Sequence, residues 1–356
     1  MAVLSVEEIL KTAVEQGVTD IFIVAGSSLA FKSKGKITQL DGGMVDPAGA
    51  FELISRIYEI AGRDIANVDC GDDDFAFSVP GLSRFRASVY KQRGSLAAVI
   101  RIILFGIPDY RNLSIPDSII NSVDRASGLI LVTGPAGSGK STTLACMIDH
   151  INELRSGHII TLEDPIEYLH RNKNCIVSQR EVALDTESYV SALRACLRQA
   201  PDVILVGEMR DFDTIQTVMT AAETGHLVIS TLHTVGAADT VDRIIDVFPP
   251  AQQQQVRVQL SMLLQAVISQ QLIPTVSGGL KPAFEIMFVN TAIRTLIRES
   301  KIHQVDSAIS SAAAEGMVST DASLLALRKA GEITDDACLH YASNIELMQR
   351  RLAALK

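Results

Sequence analysis

Residues Gly134-Pro135-Ala136-Gly137-Ser138-Gly139-Lys140-Ser141-Thr142 carry the spacing G-x-x-x-x-G-K-[ST]. Holding a polyphosphate requires backbone N–H groups turned toward one point, and glycines reach those dihedrals without a Cβ clash. A helix N-terminus adds positive potential where the anion sits. On this pattern Lys140 is expected to reach the β- and γ-phosphates of ATP, or the β-phosphate of ADP, and Ser141 to hold Mg²⁺. The flanking residues favour this over a chance match. An apolar run at 129–133 precedes the motif, and Leu144, Met147, Ile148 and Ile151 follow it at helical spacing.

Three further groups of polar residues stand at the ends of apolar runs. The run 203–206 leads into Gly207 and Glu208, a carboxylate that can polarise water or organise Mg²⁺ through its hydration shell. The run 159–162 leads into Glu163, Asp164 and Glu167, any of which could act as a general base for an attacking water; spacing alone does not choose among them. His226 and His233 flank the run 227–230 and are candidate γ-phosphate sensors. Their separation of seven residues puts the rings ~23 Å apart on an extended strand, which disfavours a shared metal.

These groups need a scaffold, and the chain supplies two patterns. From about 117 to 275, short apolar strands alternate with helices, which indicates a mainly parallel sheet covered on both faces: an α/β fold. Residues 1–112 read as a smaller α+β domain, followed by a domain at 113–356 whose last part, about 276–356, is expected to be mostly helical. Segment 108–116 reads as the linker between them. In the first domain, Ser5 and Glu8 have capping-box spacing before Ile9 and Leu10, so the N-terminus is expected to start a helix and not a signal peptide. Residues 32–36 suggest a hairpin. A helix is expected over 51–62, with Phe51, Ile54, Ile57 and Tyr58 at helical spacing. Phe85, Ala87 and Val89 alternate with Arg84 and Arg86, which places the arginines on the other face of a strand.

Composition excludes several classes. Apolar residues make up 47%, which indicates a globular chain. The net charge of −9 argues against sequence-independent nucleic-acid binding, which needs clustered Lys and Arg. None of the five cysteines forms a CxxC pair, so they are expected to be core thiols in a reducing compartment. No apolar run approaches the ~20 residues of a membrane span, so membrane association is expected to come through a partner.

The four polar groups, in this order, resemble the Walker A, Asp box, Walker B and His box of the type II/type IV secretion and pilus ATPases. The segment from Phe85-Arg86 to Ala98-Val99-Ile100-Arg101, the pattern Gln179 to Val182, and Arg243 to Pro249 are also similar to that family. Ala292-Ile293-Arg294-Thr295-Leu296-Ile297-Arg298-Glu299 resembles the AIRNLIRE motif of its PilT-type branch, with Thr295 for the usual Asn. The resemblance implies a PAS-like N-terminal domain before a RecA-like ATPase domain. It implies a homo-hexamer on the cytoplasmic face of the inner membrane, docked on a pilus platform protein and working beside a second pilus ATPase. The activity implied is pilus retraction, with Glu163 activating water and Arg86 and Arg101 stabilising charge. A pilus or competence assembly ATPase, an accessory paralogue and a DNA translocase are the alternatives.

Overall fold

Ser5 caps the first helix, Val6–Glu15. Its hydroxyl oxygen accepts from the Glu8 N–H at 3.2 Å, and Glu8 Oε2 accepts from the Ser5 N–H at 2.9 Å, the reciprocal box expected from the spacing. The computed structural model describes residues 5–33, 36–103 and 106–355. The expected helix start at Met1 and the hairpin tip at 34 and 35 lie outside the described residues. A second helix, Pro47–Ala61, is capped by Asp46 and ended by Gly62 in the left-handed region (φ 63°). Ile54, Ile57 and Tyr58 are buried as expected, but Phe51 is 52% exposed. Ala50 and Leu53 take its place in the buried stripe, because the helix meets its sheet about one residue position away from the predicted face.

Both helices pack on one face of a six-stranded antiparallel sheet. Its strands are β1 (Asp20–Val24), β2 (Ser28–Ser33), β3 (Lys36–Met44), β4 (Asp72–Val79), β5 (Ser83–Gln92) and β6 (Ser95–Ile103), in the order β3-β2-β1-β6-β5-β4. Phe85, Ala87 and Val89 of β5 are fully buried against the helices, and Arg84 and Arg86 occupy the opposite face.

The second sheet has seven strands: β7 (Gly128–Thr133), β8 (His158–Glu163), β9 (Ile176–Glu181), β10 (Val203–Val206), β11 (Leu227–Leu232), β12 (Leu264–Pro274) and β13 (Leu280–Phe288). The order is β13-β12-β7-β11-β10-β8-β9, parallel throughout except for the β12–β13 hairpin. Helices cover both faces, which is why β7, β10 and β11 are buried along their whole length. Strand β13 corrects the helical expectation for 276–356: helices resume only at Thr291, because Leu280–Phe288 pairs with β12 over nine residues.

The chain divides into two compact units, Met1–Gly106 and Ile107–Lys356. The division falls six residues before 112. Ile107, Tyr110 and Leu113 pack with the core of the second unit, so 108–116 belongs to that unit and is not a free linker. Cys146, Cys175, Cys196 and Cys338 are buried free thiols, as expected for core cysteines; the side chain of Cys70 lies outside the described part. No described helix is long and apolar enough to cross a membrane.

Candidate active site

The phosphate loop runs from the end of β7 into the helix Lys140–Leu154. Gly134 and Gly139 have φ of 137° and 90°, and a Cβ on either would collide with Gln270 of β12. The dihedral demands glycine at both, and at Gly134 the Gln270 backbone carbonyl leaves no space for a Cβ either. Lys140 is buried and donates through Nζ to the carbonyls of Gly134 (2.8 Å) and Pro135 (2.9 Å). Burial lowers its pKa, and the Glu167 and Glu208 carboxylates oppose that effect. Ala136, Gly137, Gly139, Lys140, Ser141 and Thr142 line a cavity of about 400 Å³. Ser138 is buried behind the loop, and its hydroxyl has no protein partner.

Parallel pairing brings the carboxyl ends of β7, β8, β10 and β11 to the same edge of the sheet. Glu163, the last residue of β8, faces the cavity. Its Oε1 accepts from Thr161 Oγ1 (2.6 Å) and Gln179 Nε2 (3.1 Å). Burial raises its pKa above the ordinary carboxylate range, and those hydrogen bonds pull it down. Asp164 and Glu167 line the same cavity, and the Asp164–Pro165 peptide is cis. Gln179 also donates to Tyr168 O (2.8 Å) and accepts from His170 N–H (2.8 Å). Glu181 Oε2 accepts from Ile166 N–H at 3.1 Å. Alternate residues of β9 thus hold the first part of the loop that follows β8, from 166 to 170, a role that the Gln179–Val182 pattern signalled only as a likeness.

Glu208 follows β10 and makes two contacts: Oε1 to Arg210 Nε at 2.7 Å, and Oε2 to His233 Nε2 at 3.3 Å. Gly207 must be small, since a Cβ there would lie 2.9 Å from the Tyr189 hydroxyl and 3.1 Å from Leu162 O. Thr231 Oγ1 donates to Gly207 O (2.6 Å) and locks the ends of β10 and β11 together. The two histidines separate. His233 lines the cavity, but His226 precedes β11 and sits at the opposite edge of the sheet, where its Nδ1 lies 3.0 Å from Ala221 O. The strand between them is six residues long, so both cannot face one ligand.

Arg86 and Arg101 lie in the first unit. They are directly opposed on β5 and β6, and Arg101 is opposed in turn to Asp20 on β1. Arg101 Nε donates to Asp20 Oδ1 at 2.9 Å. Both arginines therefore share the sheet face away from the helices. Tyr168, Tyr189, Arg210 and Gln270 were not expected at the site. The first three line the cavity beside motif residues, and Gln270 is one of four polar residues in β12, with nothing in the sequence to single it out.

Comparison with known proteins places these features. The model of the type II/IV secretion system protein family matches residues 2–322. The type IV pilus retraction ATPase PilT of Pseudomonas aeruginosa is 43% identical over 334 residues, covering 93% of this chain and 96% of the relative. A twitching motility protein of Neisseria gonorrhoeae is 48% identical over 276 residues, covering 77% and 74%. The crystal structure of the pilus retraction motor PilT with bound ADP superposes with a TM-score of 0.89 at 46% identity, covering 98% of this chain and 100% of that one.

Proposed function

The chain belongs to the type II/IV secretion system protein family, and from that premise we propose that it is the ATP-hydrolysing motor that retracts a type IV pilus. The observation that carries this is one cavity of about 400 Å³ that gathers the phosphate loop, Glu163, Glu208 and His233 at one sheet edge. The RecA-like unit binds nucleotide there. The likeness to retraction ATPases over nearly the whole chain assigns the work done with it.

Each group then has a task. Lys140 leaves the loop carbonyls for the β- and γ-phosphates, a small movement of a long side chain. Glu163 takes the proton from a water that attacks the γ-phosphorus as the bond to the β-phosphate oxygen breaks; its raised pKa makes it a better proton acceptor than an ordinary carboxylate. Glu208 and His233 fix each other beside that water. Arg86 and Arg101 supply cationic charge from the N-terminal unit. No role in this cavity is given to His226.

Mg²⁺ fits the donor set. Among the described residues no group of three or more His, Cys, Asp or Glu forms a metal cage, but an ion carried on nucleotide phosphates needs only a hydroxyl or a carboxylate and keeps its waters. Ser141 would hold it, with Glu208 in reach of its hydration shell, and bound there it supplies charge neutralisation at the phosphates. The working assembly is a homo-hexamer on the cytoplasmic side of the inner membrane, docked on a pilus platform protein and paired with a second pilus ATPase.

The test is double: phosphate release from Mg²⁺-ATP by the purified protein, and recovery of twitching when the chain is expressed in a strain lacking its retraction ATPase. Both are expected. Turnover without recovery would leave the ATPase and remove retraction.

A further inference from the structure

Ser269 and Gln270 are consecutive on β12, so their side chains leave opposite faces of the sheet. Both are buried. Gln270 turns to the face that carries the helix Lys140–Leu154. Its Oε1 accepts from Thr143 Oγ1 at 2.7 Å, its backbone carbonyl forbids a Cβ at Gly134, and its amide nitrogen lies 2.8 Å from where a Cβ on Gly139 would stand. One residue therefore forms the rear wall of the phosphate loop at both of its essential glycines.

Ser269 turns to the other face. Its hydroxyl accepts from the Gly236 N–H at 2.9 Å, and Glu285, its direct cross-strand neighbour on β13, accepts from the Ala237 N–H at 2.7 Å. Those N–H groups begin the helix Ala237–Asp246, whose own N-cap residue is a glycine with no side chain to offer. The cap thus comes from the hairpin. The turn so fixed is the one that carries His233. It is tied once more to the phosphate loop: Thr234 Oγ1 lies 2.7 Å from Thr240 Oγ1, which approaches Thr133 Oγ1 at 3.5 Å just before Gly134.

We propose that the β12–β13 hairpin is the positioning strut of the ATP site, divided by sheet face: Gln270 holds the phosphate loop for nucleotide binding, and Ser269 with Glu285 holds the His233 turn for the chemical step. This rests on the reading of the cavity as an ATP site. None of the three is a catalytic residue; each acts through a neighbour.

The experiment measures kcat, KM and equilibrium ADP binding for the full chain and four variants. Gln270→Met keeps volume and removes the amide; its KM and ADP dissociation constant are expected to rise about tenfold, with kcat changed less than about twofold. Ser269→Ala and Glu285→Ala are expected to lower kcat about tenfold, with ADP binding within about twofold of wild type. Glu285→Gln retains an acceptor for Ala237 and is expected to recover most of the lost rate. Melting curves identify any variant that fails to fold, and Glu285→Gln and Gln270→Met, both close in shape to the native residue, keep the test available. If Gln270→Met and Glu285→Ala change kcat and KM in the same proportion, or leave both unchanged, the division of labour is wrong. If wild type neither binds nor hydrolyses ATP, the reading of the cavity falls and the inference with it. Normal wild-type turnover with no split in the variants overturns the inference alone.

Discussion

In the unit from 107 to 356, Lys140 opens a helix and Glu163 and Glu208 stand at or just past strand ends, and each is held by neighbours of its own unit within 2.6–3.3 Å. In the unit up to 106, Arg86 and Arg101 stand within strands, on the sheet face that no described helix of that unit covers, and the Arg101 side chain is 65% exposed. The first arrangement is preorganised at its carboxylates, Glu163 and Glu208, which are held at the cavity, while Lys140 has only a short way to move from the loop carbonyls. The second is poised. Directly opposed cations destabilise a strand pair slightly, and Asp20, only 6% exposed in its side chain, offsets this at Arg101. The contrast teaches that the cavity groups are fixed by hydrogen bonds and ion pairs within one unit, whereas Arg86 and Arg101 are placed by strand register, and it is under the proposed function that charge stabilisation falls to them.

The largest effects should come from the preorganised set. Lys140→Ala is expected to abolish measurable nucleotide binding. Glu163→Gln should retain binding and lose about 10²–10⁴-fold in kcat, read as steady-state phosphate release. Near-normal release by Glu163→Gln would move the base to another carboxylate of the cavity.

Arg86→Ala and Arg101→Ala should bind ATP normally and turn over about 10²–10³-fold more slowly, the range of a lost charge-stabilising donor. They should differ in stability. Arg101→Ala leaves buried Asp20 with Thr19 Oγ1 as its side-chain partner among the described residues, and should lose about 1 kcal/mol more in denaturant unfolding than Arg86→Ala. Equal turnover by both variants and wild type would erase the contrast between the units.

The pH profile sharpens it further. Burial raises the Glu163 pKa in the folded protein, and only the ionised form can accept a proton. The acid limb of kcat should therefore lie above the ordinary value of about 4.5, with activity falling as pH drops through the raised pKa. The limb should be absent from the residual activity of Glu163→Gln. A limb at or below the ordinary carboxylate value would show that another group is titrating.

The smallest effect in vitro is expected at the helix Thr291–Arg298. Ile293 and Ile297 are buried and Leu296 is partly so, while Arg294 and Arg298 are exposed four residues apart. Arg294→Ala and Arg298→Ala should change stability by no more than about 0.5 kcal/mol and leave ATP turnover intact. The double variant should nonetheless fail to restore twitching in a deletion strain. Full recovery would show that this charged face is passive.

Local spacing was enough for the phosphate loop. Glycine dihedrals, the strand before and the helix after all lie within some 30 residues, and short-range sterics and the helix dipole set them. The four parallel core strands and the acids that end two of them were legible for the same reason: a buried strand is an apolar run, and its charged end stands out. The capping box at Ser5 and the stripe of Ile293 and Ile297 are equally local. Tertiary structure decided the rest. The two histidines looked equivalent on the chain, and only the direction of β11 within the sheet assigns His233 to the cavity and His226 to the far edge. Strand β13 has no distinctive pattern of its own and becomes a strand because β12 offers it a ladder. Gln270 meets Thr143 across 127 residues of sequence, and Ser269 accepts from the N-cap residue of a helix, Gly236, 33 residues earlier. Such contacts follow from the order in which strands are laid side by side, a long-range property that no window of residue types contains.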